Sequence, residues 1–174
     1  MKSIDPNHLF LGWWIVPNWW INSQDWVMQA ANTDVVGFDY YVPKFVEPYL
    51  DALIQAAGKP VLIGEFSFPA GYLGMRGFDL SQYALNLGTS DSDSGDRYAQ
   101  WLTDTSAYPY MIGVSWFEYR DEPISGRGPG SGPAIIIGEH DAFGLVDVTD
   151  NPKFDLITKV LAANIAALQS LGLQ

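Results

Sequence analysis

Short apolar runs, separated by stretches of helical period, set the order of this chain. Lys59-Pro60-Val61-Leu62-Ile63-Gly64-Glu65-Phe66 follows a proline with four apolar residues and then places a carboxylate. A run this short and β-branched reads as a buried parallel strand. Period two puts Val61, Ile63 and Glu65 on one face, and Leu62 and Gly64 on the other. Phe10 to Val16, Asp34 to Tyr41 and Tyr110 to Phe117 read as three more strands, and Phe143 to Asp147 as a short strand or turn. Helices are expected between them. Ser23 caps Gln24 to Ala31. Pro48 opens Tyr49 to Ala57, which Gly58 ends. A third helix starts at Gly95 or Asp96 and runs to about Thr105. Asn151-Pro152 opens the last, where Phe154, Ile157, Val160, Leu161, Ile165 and Leu168 recur on one side. Two long Gly-rich loops, Ser67 to Ser94 and Glu118 to Asp141, interrupt the pattern, the second read as mobile. Four successive strand–helix units imply a parallel sheet.

Composition narrows the functions open to such a fold. A net charge of −11 argues against nucleic acid and anionic membranes as partners. Seven tryptophans and an aromatic content of 14% suit stacking on flat ligands such as sugar rings, although cores also use them. The chain has no cysteine, hence no disulfide or thiolate metal site. No stretch approaches the ~20 apolar residues of a membrane span. The first residues lack the apolar core of a signal peptide, and the compartment stays open: secreted or periplasmic if a longer gene product carries a signal.

A strand buried on both faces has nowhere cheap to put a charge, so Glu65 belongs at its carboxyl end, where α/β folds bind ligands. A strand-end glutamate that merely meets solvent or an ion pair is the alternative. The other strand ends carry Trp13 and Trp14, Asp39 with Tyr40 and Tyr41, and Trp116 with Glu118. In a parallel barrel such ends gather on one rim. Asp91-Ser92-Asp93-Ser94-Gly95-Asp96 lacks the downstream glutamate of a calcium loop and reads as an acidic helix start. His8 and His140 have no ligand spacing, and no metal or cofactor is expected.

These pieces together carry a resemblance. Lys59 to Phe66 resembles the seventh strand of the large clan of (β/α)8-barrel glycoside hydrolases, clan A, whose closing glutamate is the catalytic nucleophile. Gly113-Val114-Ser115-Trp116-Phe117 resembles the eighth strand, ending in the tryptophan that floors the sugar subsite. Asp34 to Tyr41 is similar to the sixth, with Asp39 in place of the usual asparagine and Tyr41 as its tyrosine. Phe143 to Val148 with Asn151-Pro152-Lys153 resembles the closing segment. Trp116 to Arg127 looks closest to agarase-like and β-galactosidase-like members.

The resemblance implies half of a TIM barrel, its four parallel strands being strands 5–8, with residues 1–174 as the carboxyl-terminal half of a catalytic domain. It implies a retaining glycoside hydrolase acting on a β-linked poly- or oligosaccharide, with a galactan or agar-like polymer as the candidate. Glu65 is the expected nucleophile; Tyr41, Trp116, Asp39, Trp13, Trp14 and Glu118 are the expected substrate contacts. Trp116 as plain barrel core is the bland alternative. A retaining enzyme also needs an acid/base. In this clan it is the glutamate of an Asn-Glu pair on strand four, and no such pair occurs in this chain. Glu118 and Asp121 are the substitutes within reach of the rim. The missing half must then come from a longer gene product, a separate amino-terminal half-barrel or a second copy. An inward row including Val61, Ile63, Ile112 and Val114 would otherwise lie open. The competing reading is a carbohydrate-binding or degenerate module without chemistry. A lyase or aldolase barrel would want a strand-end lysine or a metal cluster, and neither is found.

Overall fold

The computed structural model describes residues 2–14, 23–44, 54–55, 57–75, 87–126 and 140–173. Its elements, in chain order, are α1 (Ser23–Asn32), β1 (Val36–Asp39), β2 (Val61–Phe66), α2 (Asp91–Ser106), β3 (Met111–Trp116) and α3 (Phe154–Ser170). The three strands form one sheet in the order β1-β2-β3, with β1 and β2 parallel. This is a mixed α/β chain, and three of the four expected strands form among the described residues.

The strand expected from Phe10 to Val16 does not. Ile15 and Val16 lie outside the described residues, and Phe10 to Trp14 is irregular. Positive φ at Gly12 (97°) and Trp14 (46°) breaks the extended backbone that a ladder needs. The segment is instead tied to the start of β1: Asp34 and Val35 donate to the Phe10 carbonyl at 3.0 and 3.2 Å. Most of the helix expected from Tyr49 to Ala57 also falls outside the described residues; Ile54, Gln55 and Ala57 are helical. Gly58 ends that helix as expected, with φ of 61°.

The chain divides into two compact units. The first comprises Met1–Tyr40, Val46–Phe66 and Tyr108–Ser115. Its core is the face of the sheet carrying Val36, Phe38, Val61 and Ile63, all fully buried, with Ile54 among the same core residues. Val36 pairs with Val61 and Phe38 with Ile63 across β1 and β2. This corrects the expectation of an open apolar row at Val61 and Ile63 but not at Ile112, and Val114 is half-buried. Val61 and Ile63 are covered within the chain itself, whereas Ile112 on β3 is 57% exposed. The opposite face is lined with glycine. A Cβ at Gly37 or Gly64 would fall inside the indole of Trp14, so that ring lies directly on the backbone of both strands. Gln29 of α1 seals the edge of β1, its Oε1 accepting from Gly37 N–H at 2.8 Å.

The second unit comprises Tyr41–Phe45, Ser67–Ala107 and Trp116–Gln174. Its helices α2 and α3 pack together at Gly95, where an added Cβ would meet Lys159 Cβ at 2.7 Å. Tyr98 on α2 donates to Asn164 on α3. The packed side of α3 is therefore Leu156, Lys159, Val160, Ala163, Asn164 and Ala167, with Leu156 buried and the others half-buried. The expected apolar stripe is split: Ile157 and Val160 are half-buried, whereas Phe154, Leu161, Ile165 and Leu168 are exposed. Tyr98 and Trp101 on α2 and Phe68 form the buried aromatic centre, with Phe68 and Trp101 edge-to-face at 6.5 Å.

Candidate active site

Glu65 stands one residue before the end of β2, half-buried. Asp39 ends β1 and is Glu65's partner in the parallel register. The register slips between Phe38 and Asp39, since Phe38 opposes Ile63 while Asp39 opposes Glu65. Gly64 absorbs the extra position as a bulge, a device that re-aims side chains at strand ends. The Tyr40 N–H donates to the Glu65 carbonyl at 2.8 Å and fixes the two chain ends side by side. Neighbouring strands lie ~4.8 Å apart, so the two carboxyl groups spring from adjacent backbone positions.

Asp39 is only 8% exposed, and its Oδ1 has no hydrogen-bond partner among the described residues. Burial, and then the nearby charge of Glu65, push its carboxyl up to about 7. Trp14 covers the glycines beside this pair yet stays 41% exposed; Trp13 is 40% exposed and donates its N–H to Gln29 Oε1 at 3.3 Å. Asp39, Glu65 and Trp14 thus lie in the first unit.

In the second unit the aromatic candidates converge on Phe143. Tyr41 lies 6.4 Å from its ring and Phe117 5.3 Å, while the Trp116 indole N–H donates to its carbonyl at 2.7 Å. Trp116 is also held edge-on by Tyr98 at 5.7 Å and is half-buried, so it is anchored with part of its surface open. A cis peptide bond joins Phe117 and Glu118. The Glu118 backbone is pinned to the closing segment, its N–H donating to Phe143 O and its carbonyl accepting from Leu145 N–H, both at 3.3 Å. Glu118 is half-buried.

Asp121 leaves the list of acid candidates. Its side chain is fully buried, and it accepts from Lys153 Nζ, Gly144 N–H and Tyr72 O–H, each at 2.7 Å. Lys153 also lies over the Tyr72 ring, 5.6 Å from its centroid. This knot fastens the loop after β2, the loop after β3 and the start of α3. The sequence carries no signal of it: Lys153 stands alone before a helix, and Tyr72 sits in a Gly-rich loop. The second long loop is also anchored in its described parts, with Glu122 Oε2 accepting from Asp141 N–H at 2.7 Å. Residues 127–139, Arg127 among them, lie outside the described residues. Among the described residues no cluster of His, Asp and Glu could hold a metal ion.

The chain as a whole is similar to known proteins. The chain is 31% identical to β-agarase A of Vibrio sp. (strain JT0107) over 159 residues, covering 87% of the chain and 14% of that protein. It is 27% identical to β-agarase B of the same organism over 159 residues, covering 90% of the chain and 15% of that protein. Among solved structures, an exo-β-agarase superposes with a TM-score of 0.78 at 27% identity, over 97% of this chain and 21% of that one. The agarase AgWH50C gives 0.79 at 26% identity, over 95% of this chain and 24% of that one. No protein-family model matches the chain. The chain is therefore a relative of glycoside hydrolases of mixed α/β fold. In particular it is homologous to a segment of the β-agarases, spanning about one seventh of the length of the curated relatives, 14% and 15%.

Proposed function

We propose that residues 1–174 supply strands 5–8 of a (β/α)8 retaining glycoside hydrolase that cleaves a β-linked, agar-like polysaccharide. The observation that carries this reading is Glu65 at the carboxyl end of a parallel strand, paired with Asp39 at the end of the next, in a chain related to agarases. A Glu65 carboxylate oxygen attacks the anomeric carbon as the bond to the leaving sugar breaks. The leaving oxygen takes a proton from an acid, and a glycosyl ester forms on Glu65. Water, deprotonated by the same group, then cleaves the ester with net retention. The acid/base comes from a separate or preceding half-barrel, or from a second copy of the chain. Trp116 and Tyr41 support the sugar, with Trp13, Trp14 and Glu118 as further contacts along an extended substrate. Of the two internal substitutes for the acid, Glu118 and Asp121, Glu118 remains in this reading, since Asp121 is locked to Lys153.

The test replaces the matching segment of β-agarase A with this chain and measures release of reducing ends from agarose. Glu65→Gln is expected to lower turnover by on the order of 10⁴-fold with the fold unchanged. Turnover within tenfold of the parent would remove Glu65 from its role. Oligosaccharide binding without turnover in the parent chimera would instead favour a carbohydrate-binding module.

A further inference from the structure

The two strand-end carboxyl groups differ in a way that the hydrolase reading alone does not use. Glu65 is half-buried, whereas Asp39 is nine-tenths buried with one oxygen that finds no partner among the described residues. The bulge at Gly64 brings them into direct register, and the Tyr40–Glu65 backbone bond at 2.8 Å keeps them there. When two carboxylates stand side by side on adjacent strands and one of them is buried, they do not both ionise readily; the buried one keeps a proton and offers an O–H.

We propose that Asp39 and Glu65 act as a coupled pair in which Asp39 holds a proton, with Asp39 as the positioning residue that orients the Glu65 carboxyl group. This rests on the hydrolase reading only for its consequence in catalysis; the pairing itself is a property of the chain. The protonated carboxyl turns the unsatisfied Oδ1 from an acceptor without a donor into a donor, which a neighbouring carboxylate can accept. The substitution of aspartate for the asparagine expected at this place then keeps the same hydrogen-bond donor, and makes it conditional on pH. The groups around Asp39 do not compete for the role. Gln29, Gly12 and Trp14, packed along β1 and β2, are uncharged. Asp34 lies at the amino-terminal end of β1 and is committed to Lys2 at 2.8 Å and to the Phe10 N–H at 2.8 Å. Lys59 precedes β2 at that same end. Asp25 is in the first turn of α1, and the charge acting on Asp39 is that of Glu65. Burial together with that charge raises the Asp39 carboxyl far above the ordinary aspartate range.

The pair is tested on this chain without substrate. Carboxyl carbons are labelled with ¹³C in Asp and Glu, assigned through the backbone, and followed from pH 3 to 9. Asp39 is expected to titrate near neutral pH. In Glu65→Gln its midpoint falls by at least one pH unit, because the like charge is gone while burial stays. A midpoint in the ordinary carboxylate range, or one that does not move in Glu65→Gln, overturns the proposal. In the chimera, Asp39→Asn keeps a hydrogen-bond donor without a titrating carboxyl, and the alkaline fall in kcat/KM above pH 7 is expected to be lost whatever the absolute rate. An unchanged profile would confine Asp39 to a structural role. Loss of the hydrolase reading, seen as Glu65→Gln turning over normally, leaves the titration result standing on its own.

Discussion

At the residue scale, Asp39 ties the candidate site to the stability of the fold. An aspartate raised in the folded state binds more protons folded than unfolded between its two midpoints, so stability falls with rising pH. The contribution is complete below about pH 4, where both states are protonated, and is lost as pH rises to about 7, the folded midpoint. From 3.8 to about 7 the interval corresponds to at most about 4 kcal/mol. Urea unfolding at pH 4, 5.5 and 7 is expected to show this decline in the parent chain and its absence in Asp39→Asn. Asp147 acts in the opposite sense and below this window. Hydrogen bonds from the Asn151 backbone and from Thr149 hold it down to about 2, so its contribution is lost only in strong acid. Asp121 supplies the second residue-scale prediction. Asp121→Ala leaves the Lys153 ammonium, 5% exposed, buried without its anion and should cost about 3–5 kcal/mol. Loss of both partners, Asp121→Leu with Lys153→Met, should cost less than Asp121→Ala alone; if it costs more, the ion pair is not the source of the penalty. Glu65 was legible in the sequence because an apolar run ended in a single acid. Its pairing with Asp39 was not, because a bulge at Gly64 sets the register and no residue pattern announces a bulge.

At the scale of elements, the limits of legibility fall where local chemistry competes with periodicity. The sheet strands around Val36, Val61 and Val114 were readable from β-branched runs bounded by Gly and Pro. The start of α2 was read late, at Gly95 or Asp96, because the Ser-Asp repeat looks like loop. In the fold Ser90 is the cap, its Oγ accepting from Asp93 N–H at 3.1 Å, and Asp93 returns by accepting from Thr89 N–H at 2.8 Å. The acidic run thus lies inside the first turn, where the helix dipole favours it. Ser90→Ala is expected to cost about 1 kcal/mol in thermal or urea unfolding; a loss under about 0.3 kcal/mol would assign the start of α2 to Asp93 alone. On α3 the most hydrophobic stripe is not the buried one. Gly95 lets α2 approach over Lys159, and the resulting close contact selects small and polar positions such as Ala163 and Asn164. A hydrophobicity pattern finds the greasiest face of a helix; it does not register which face a glycine on a neighbour has opened.

At the scale of the whole molecule, the question is what a chain of 174 residues does with surfaces that its relatives, several times longer, have more sequence to cover. The sheet itself answers in part. Within the first unit Trp14 lies over the Gly37 and Gly64 backbones, and Val61 and Ile63 need no outside cover. The edge strand β3 is different, since Ile112 is 57% exposed there. On α3, Leu161, Ile165 and Leu168 are exposed, as are Leu171 and Leu173 just beyond it. Clusters of large apolar side chains on a helix and an edge strand favour association, and β-edges add unpaired N–H and C=O groups to the attraction. The net charge of −11 opposes nonspecific aggregation of like chains, and its effect weakens as salt screens it. Alone, the chain is therefore expected to self-associate reversibly in sedimentation velocity, more strongly at 0.5 M than at 0.05 M NaCl. Supplying β-agarase A that lacks the segment matching this chain in trans is expected to replace that self-association with a heterodimer. Ile112→Lys places a charge on the exposed edge strand, a device that folded proteins use against edge pairing, and should weaken either assembly if β3 is the contact. A strict monomer at both salt concentrations, indifferent to the added protein, would mean that the exposed Ile112 and the α3 leucines tolerate water and that no partner completes the sheet.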